Sequence, residues 1–147
     1  AQKTMLVAKA KERYGSLAGK RIAVLGLTFK PDTDDLRDAP SLDVVRMLLD
    51  EGAQTVLYDP CGMPAFEGRY PASLGVLEYA GDPYEALRDS DMAFILTEWE
   101  EFASITADQY QSLMGTPEIY DGRNMYSLDA FRGTSVRYVS IGRPVVE

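Results

Sequence analysis

Uninterrupted apolar runs alternate with amphipathic stretches along most of the chain, and the two patterns predict strands and helices in turn. Residues 21–27 (RIAVLGL), 55–58 (TVLY), 74–78, 92–96 (MAFIL), 118–120 and 136–141 (VRYVSI) are short and apolar. That is the pattern of strands buried on both faces. Residues 40–51 (PSLDVVRMLLDE) bring Leu42, Val45, Leu48 and Leu49 onto one helical face, and Gly52 supplies the stop. Asp82 as N-cap and Pro83 at the first helical position open a helix over 84–90. Thr106 caps another over 106–114, and 128–132 forms a short one. Leu6, Ala10 and Tyr14 lie four apart and predict a helix over 2–14, ended by Gly15. Residues 61–73, rich in Gly, Pro and Ser, read as a loop.

Buried strands alternating with helices of about ten residues predict an α/β fold. The expected architecture is a Rossmann-like, doubly wound, mainly parallel six-stranded sheet with helices on both faces. Its length of 147 residues fits one domain. Ligands of such sheets bind at the carboxyl ends of the strands. The segments that follow strands are therefore the ones to read for chemistry.

The richest is 26–41 (GLTFKPDTDDLRDAPS), between the first strand and the next helix. It stands where a dinucleotide fold holds its phosphate loop, yet Gly26 is its only glycine. A loop so poor in glycine does not wrap a pyrophosphate with backbone amides alone. Lys30 and Arg37 offer a mobile point charge and a planar two-pronged donor instead, both suited to phosphate oxygens. The same two cations could simply balance Asp32, Asp34, Asp35 and Asp38 on a solvated loop. In the second segment, 119–124 (IYDGRN), Arg123 stands at the carboxyl edge, although Asp-Gly-Arg-Asn is also an ordinary turn. In the third, 97–102 (TEWEEF), Trp99 and Phe102 either face a base or a partner chain or pack at the rim. Glu98, Glu100 and Glu101, without histidine, read as a solvated helix start rather than as metal ligands.

Composition narrows the chemistry. Fifteen basic against 23 acidic residues give a net charge of −8, which argues against nucleic acid or an anionic membrane as partner. No stretch approaches the ~20 apolar residues of a membrane span, and the first residues carry no secretory pattern. The lack of an initiator Met suggests a piece of something longer. Histidine is absent, removing the commonest general base and most zinc sites. The lone Cys61 fits a reducing cytoplasm and has no partner to activate it as a nucleophile.

Taken in order, GKRIAVLGLTFKPDTDDLRDAPSLDVVRMLL, the YDP at 58–60, AFILTEWEEF at 93–102 and IYDGRN at 119–124 closely resemble the C-terminal domain of UDP-glucose/GDP-mannose dehydrogenases. The resemblance covers residues 19–143 and is most specific in FKPDTDDLRD. It implies that residues 1–18 end a helix linking two domains and that 19–147 form a UDP-sugar-binding domain. That family oxidises a nucleotide-linked sugar to the uronic acid with two NAD molecules and a cysteine nucleophile. Phe29, Lys30 and Arg123 would contact the UDP-sugar, and Arg37 would reach NAD held mainly by an N-terminal dehydrogenase domain. Cys61 does not match the nucleophile, so no residue here is expected to be catalytic. TEWEEF and YDGRN are closer to the UDP-glucose branch than to the GDP-mannose or N-acetylated-sugar branches. Members are dimers or larger, so a homo-oligomer is implied for the whole enzyme. A stand-alone nucleotide-binding or interaction module of this fold, or a domain from a dehydrogenase of another UDP-sugar, are the competing readings.

Overall fold

A computed structural model describes residues 2–147. Six strands form its sheet: β1 (Arg21–Leu25), β2 (Gln54–Tyr58), β3 (Leu77–Tyr79), β4 (Met92–Ile95), β5 (Glu118–Asp121) and β6 (Arg137–Ser140). Their order is β3-β2-β1-β4-β5-β6, and every adjacent pair is parallel. The order reverses between β1 and β4, which makes their carboxyl ends the switch point of the sheet.

Successive residues of each strand serve opposite cores, as the strand period requires. Ile22, Val24, Leu57 and Phe94 face one layer, formed by α1 (Gln2–Tyr14), α2 (Pro40–Asp50) and α3 (Met63–Arg69). Ala23, Leu25, Ala93 and Ile95 face the other, formed by α4 (Pro83–Leu87), α5 (Glu100–Ala103), α6 (Ala107–Leu113) and the 3-10 turn Leu128–Ala130. The expected doubly wound fold is therefore present. No helix among the described residues is long and apolar enough to cross a membrane.

Helix α1 buries Leu6, Val7 and Ala10 against the sheet. It runs antiparallel to the strands. Lys3 near its start bonds the carbonyl of Leu96, beyond β4, while Tyr14 at its end donates to Glu118, the first residue of β5. Capping follows the expected chemistry. Asp82 accepts the amide of Glu85 at 2.8 Å, and Thr106 and Gln109 exchange bonds in a capping box.

Two expectations change. Residues 61–73 are not all loop, because α3 occupies seven of them. Pro64 suits the first helical turn, and Met63, Ala65, Glu67 and Arg69 are good helix formers. Phe66 is fully buried and its ring stacks on Tyr70, so together they outweigh the Pro and Gly that read as loop. The third strand starts later than expected. Ser73 closes a turn onto Val76 and Leu77, and Leu74 is left exposed.

Candidate functional site

The carboxyl edge is built from the ends of β1, β2, β4 and β5. At Gly26, just past β1, φ is +97° and a Cβ would come within 2.6 Å of the Thr97 amide. The chains leaving β1 and β4 thus pass too closely for any side chain at that point. Beyond the crossing, the Thr97 hydroxyl donates to the carbonyl of Thr28 at 2.6 Å, joining the two loops.

Asp59, at the end of β2, organises this edge. It is fully buried, and its carboxylate accepts from the amides of Leu27 (2.7 Å), Thr28 (3.3 Å), Cys61 (2.8 Å) and Gly62 (2.7 Å) and from the Trp99 indole (3.2 Å). This carboxylate occupies the amides after β1 that a dinucleotide's pyrophosphate would need. The loop therefore does not fit NAD as a resident group. An anion at this edge has to be met by side chains.

Those side chains are available. Phe29 is about half exposed (48%), and Lys30 is exposed and makes no ion pair with the described residues. Arg123 leaves the end of β5, two residues after Asp121. Asp121 is buried and holds that turn by accepting the Arg123 amide (2.8 Å), the Met125 amide (2.7 Å) and the Tyr138 hydroxyl (2.6 Å). Tyr138 belongs to a buried aromatic group with Tyr110, Tyr126 and Phe131, in which the Tyr110 and Tyr126 hydroxyls meet at 2.7 Å. Burial raises all three tyrosines well above their ordinary value. Phe29, Lys30 and Arg123 thus share one edge, with β4 between their parent strands.

Arg37 stands apart. It pairs with Asp35 through Nε (3.1 Å) and Nη2 (2.8 Å) while its side chain remains 88% exposed. Hydrogen bonds from Arg37 lower the Asp35 carboxyl to about 2. The hollow that Arg37 lines, about 430 Å³ with Leu42, Ala65 and Arg69, includes none of Phe29, Lys30 and Arg123. A second hollow of about 460 Å³, between α1 and β6, contains Lys9, Arg13 and Arg137. Arg13 and Arg137 are committed there to the buried Glu118.

Trp99 and Phe102 are buried, so both belong to rim packing rather than to an open face. Cys61 is exposed. Sequence reasoning overlooked Lys3, Asp59 and the pairing of Glu98. Lys3 is only 8% exposed, and its ammonium donates to the Leu96 carbonyl at 2.8 Å. Burial and the nearby Arg123 lower it to about 8, against the opposing pull of Glu98 and Asp121. Glu98 forms an ion pair with Nε of Arg123.

Residues 23–128 match the family described as the UDP-glucose/GDP-mannose dehydrogenase family, UDP binding domain. The chain is 48% identical over 130 residues to the UDP-glucose 6-dehydrogenase of Rhizobium meliloti, covering 88% of this chain and 29% of that protein. It is 42% identical to UDP-glucose 6-dehydrogenase YwqF of Bacillus subtilis, over 99% of this chain and 32% of that one. The chain thus spans about a third or less of these relatives. Among solved structures, an NDP-N-acetyl-D-galactosaminuronic acid dehydrogenase from Methanosarcina mazei superposes with a TM-score of 0.78 at 30% identity, over 96% of this chain and 28% of that one. A UDP-glucose dehydrogenase from Pyrobaculum islandicum gives 0.74 at 26% identity, over 94% and 29%. The match in sequence runs through the very loops that form the carboxyl edge, and the chain belongs to the UDP-glucose/GDP-mannose dehydrogenase family, as its UDP binding domain.

Proposed function

We propose that this chain forms the UDP-sugar half of the active-site cleft of a cytoplasmic UDP-glucose 6-dehydrogenase, which converts UDP-glucose to UDP-glucuronate with two NAD. Residues 1–18 end the helix that links it to an N-terminal dehydrogenase domain, and 19–147 form the binding domain. Lys30 and Arg123 hold the diphosphate, Phe29 packs against the nucleotide-sugar, and Arg37 reaches across the cleft to NAD on the other half. Hydride transfer and covalent chemistry lie outside these residues, and the whole enzyme is a homo-oligomer.

One observation carries this reading. Two cation-bearing loops stand at the same edge, while the backbone amides that would otherwise cradle a phosphate are filled by Asp59. Strands one apart on either side of β4 are separated by about 10 Å, a span suited to a nucleoside diphosphate lying across the edge. Half a cleft binds weakly, with a Kd of about 1 mM, because many contacts and much preorganisation are missing. Titrating the chain with UDP and following backbone amide NMR shifts tests the reading. Shifts at Phe29, Lys30 and Arg123 are expected, with smaller ones at Arg37. Undisturbed amides there at tens of millimolar UDP, about ten times that Kd, would refute it.

A further inference from the structure

Arg123 is gripped from a neighbouring loop. Its guanidinium carries five N–H donors, and Glu98 takes only the one on Nε. No acceptor among the described residues takes the two Nη groups. The pair is open to solvent on one side, with 36% of the Arg123 side chain and 33% of the Glu98 side chain exposed. Behind it, the Lys3 ammonium holds the Leu96 carbonyl, two residues before Glu98. The Lys3 stem also passes over Gly122, where a Cβ would lie 2.8 Å from Lys3 Cγ. Two cations, Lys3 and Arg123, and two anions, Glu98 and Asp121, therefore gather here from three different elements.

We propose that Glu98 is a positioning residue for the UDP-sugar: it fixes Arg123 through Nε and turns both Nη groups outward as a two-pronged receptor for the diphosphate, with Lys3 anchoring the end of β4 from which Glu98 projects. This deepens the reading that Arg123 binds the UDP-sugar and rests on it. The geometry explains why a carboxylate sits beside an anion site at all. Without Glu98, the Arg123 side chain has several rotatable bonds to immobilise when the ligand arrives, and ordering them weakens binding. The Nε grip also leaves the Nη1/Nη2 pair free, a parallel pair of donors suited to phosphate.

The sign of one measurement separates this role from plain charge competition. A carboxylate that merely repelled the diphosphate would, on removal, tighten binding. Positioning predicts the reverse. UDP affinity is measured by NMR titration for wild type, E98A, E98Q, R123A and E98A/R123A. E98A is expected to bind about 5–10-fold more weakly, while E98Q, which keeps an oxygen for Nε, stays within about 3-fold of wild type. E98A/R123A should bind no more weakly than R123A, because Glu98 acts through Arg123. In ligand-free protein, a protected Arg123 Nε–H resonance should persist in wild type and E98Q and broaden in E98A. Unchanged or tighter binding by E98A, additive losses in the double variant, or equal Nε–H protection with and without Glu98 overturns the proposal. If wild type fails to bind UDP, the functional reading falls, and with it the diphosphate role of Glu98. The Nε–H comparison still reports separately whether Glu98 orients Arg123.

Discussion

Asp59→Ala is the sharpest test of how the carboxyl edge is held together. The carboxylate is fully buried and accepts five N–H bonds, of which those from Leu27 and Gly62 are shortest at 2.7 Å. Alanine removes every acceptor. Cys61 is exposed, so its amide regains water, but Leu27, Thr28, Gly62 and Trp99 are buried. Each orphaned buried donor costs about 1–3 kcal/mol. The two short bonds dominate, since those of Thr28 and the indole are longer at 3.3 and 3.2 Å. The expected loss is about 3–6 kcal/mol, a large part of the ~5–15 kcal/mol that holds a domain folded. Asp59→Asn keeps one oxygen but aims an amide at donors on the other side, so about half of the loss is expected. Urea unfolding should be followed by far-UV circular dichroism and by the fluorescence of Trp99, the only tryptophan, whose indole reports on the site directly. A loss below about 1 kcal/mol for Asp59→Ala would mean that the loop amides find other partners, and the account of this edge would be wrong.

Gly26→Ala combines a positive φ with a Cβ 2.6 Å from the Thr97 amide, and should cost about 2–5 kcal/mol in thermal unfolding while abolishing UDP shifts at Phe29 and Lys30. Thr106→Ala breaks the capping box of α6 and should cost about 1 kcal/mol by urea unfolding, with Thr106→Gly costing less. Stability should also follow pH in two phases. Lys3 titrates at about 8 when folded and 10.5 when unfolded, so the unfolded chain holds the extra proton between these values and stability rises. Tyr110, Tyr126 and Tyr138 are raised above the ordinary value of 10, so above it the folded state holds the extra protons and stability falls. Urea midpoints for wild type and Lys3→Met across pH 7–11, a range about one unit either side of these values, should show the rise only in wild type and the fall in both.

What could be read from the chain alone follows the range over which each interaction acts. The strands were legible because burial on both faces leaves unbroken apolar runs such as MAFIL, and the helix starts because Asp82 and Thr106 act on amides three residues away. Helix α3 was not, because Gly62, Pro64 and Gly68 mark a loop in sequence, and what offsets them includes Phe66 packing into a distant core. The cations of the site were legible for a similar reason, since the loops that carry Lys30 and Arg123 directly follow strands. Their supports were not. Asp59 reaches Trp99 across 40 residues, Lys3 reaches Leu96 across 93, and Arg123 reaches Glu98 across 25. Glu98 in particular lies close to two further glutamates and so read as solvated surface.

Strand order supplies the missing information. Ile95 and Asp121 are register partners in β4 and β5, so residues 98 and 123 leave adjacent strands three and two positions beyond the last pair. Opposite charges at such offsets on neighbouring parallel strands are placed to meet, whatever their separation in the chain. Once the order β3-β2-β1-β4-β5-β6 is assigned, Glu98 changes from one of three surface glutamates to the one beside Arg123. Topology therefore has to be decided before charges are sorted into surface and site.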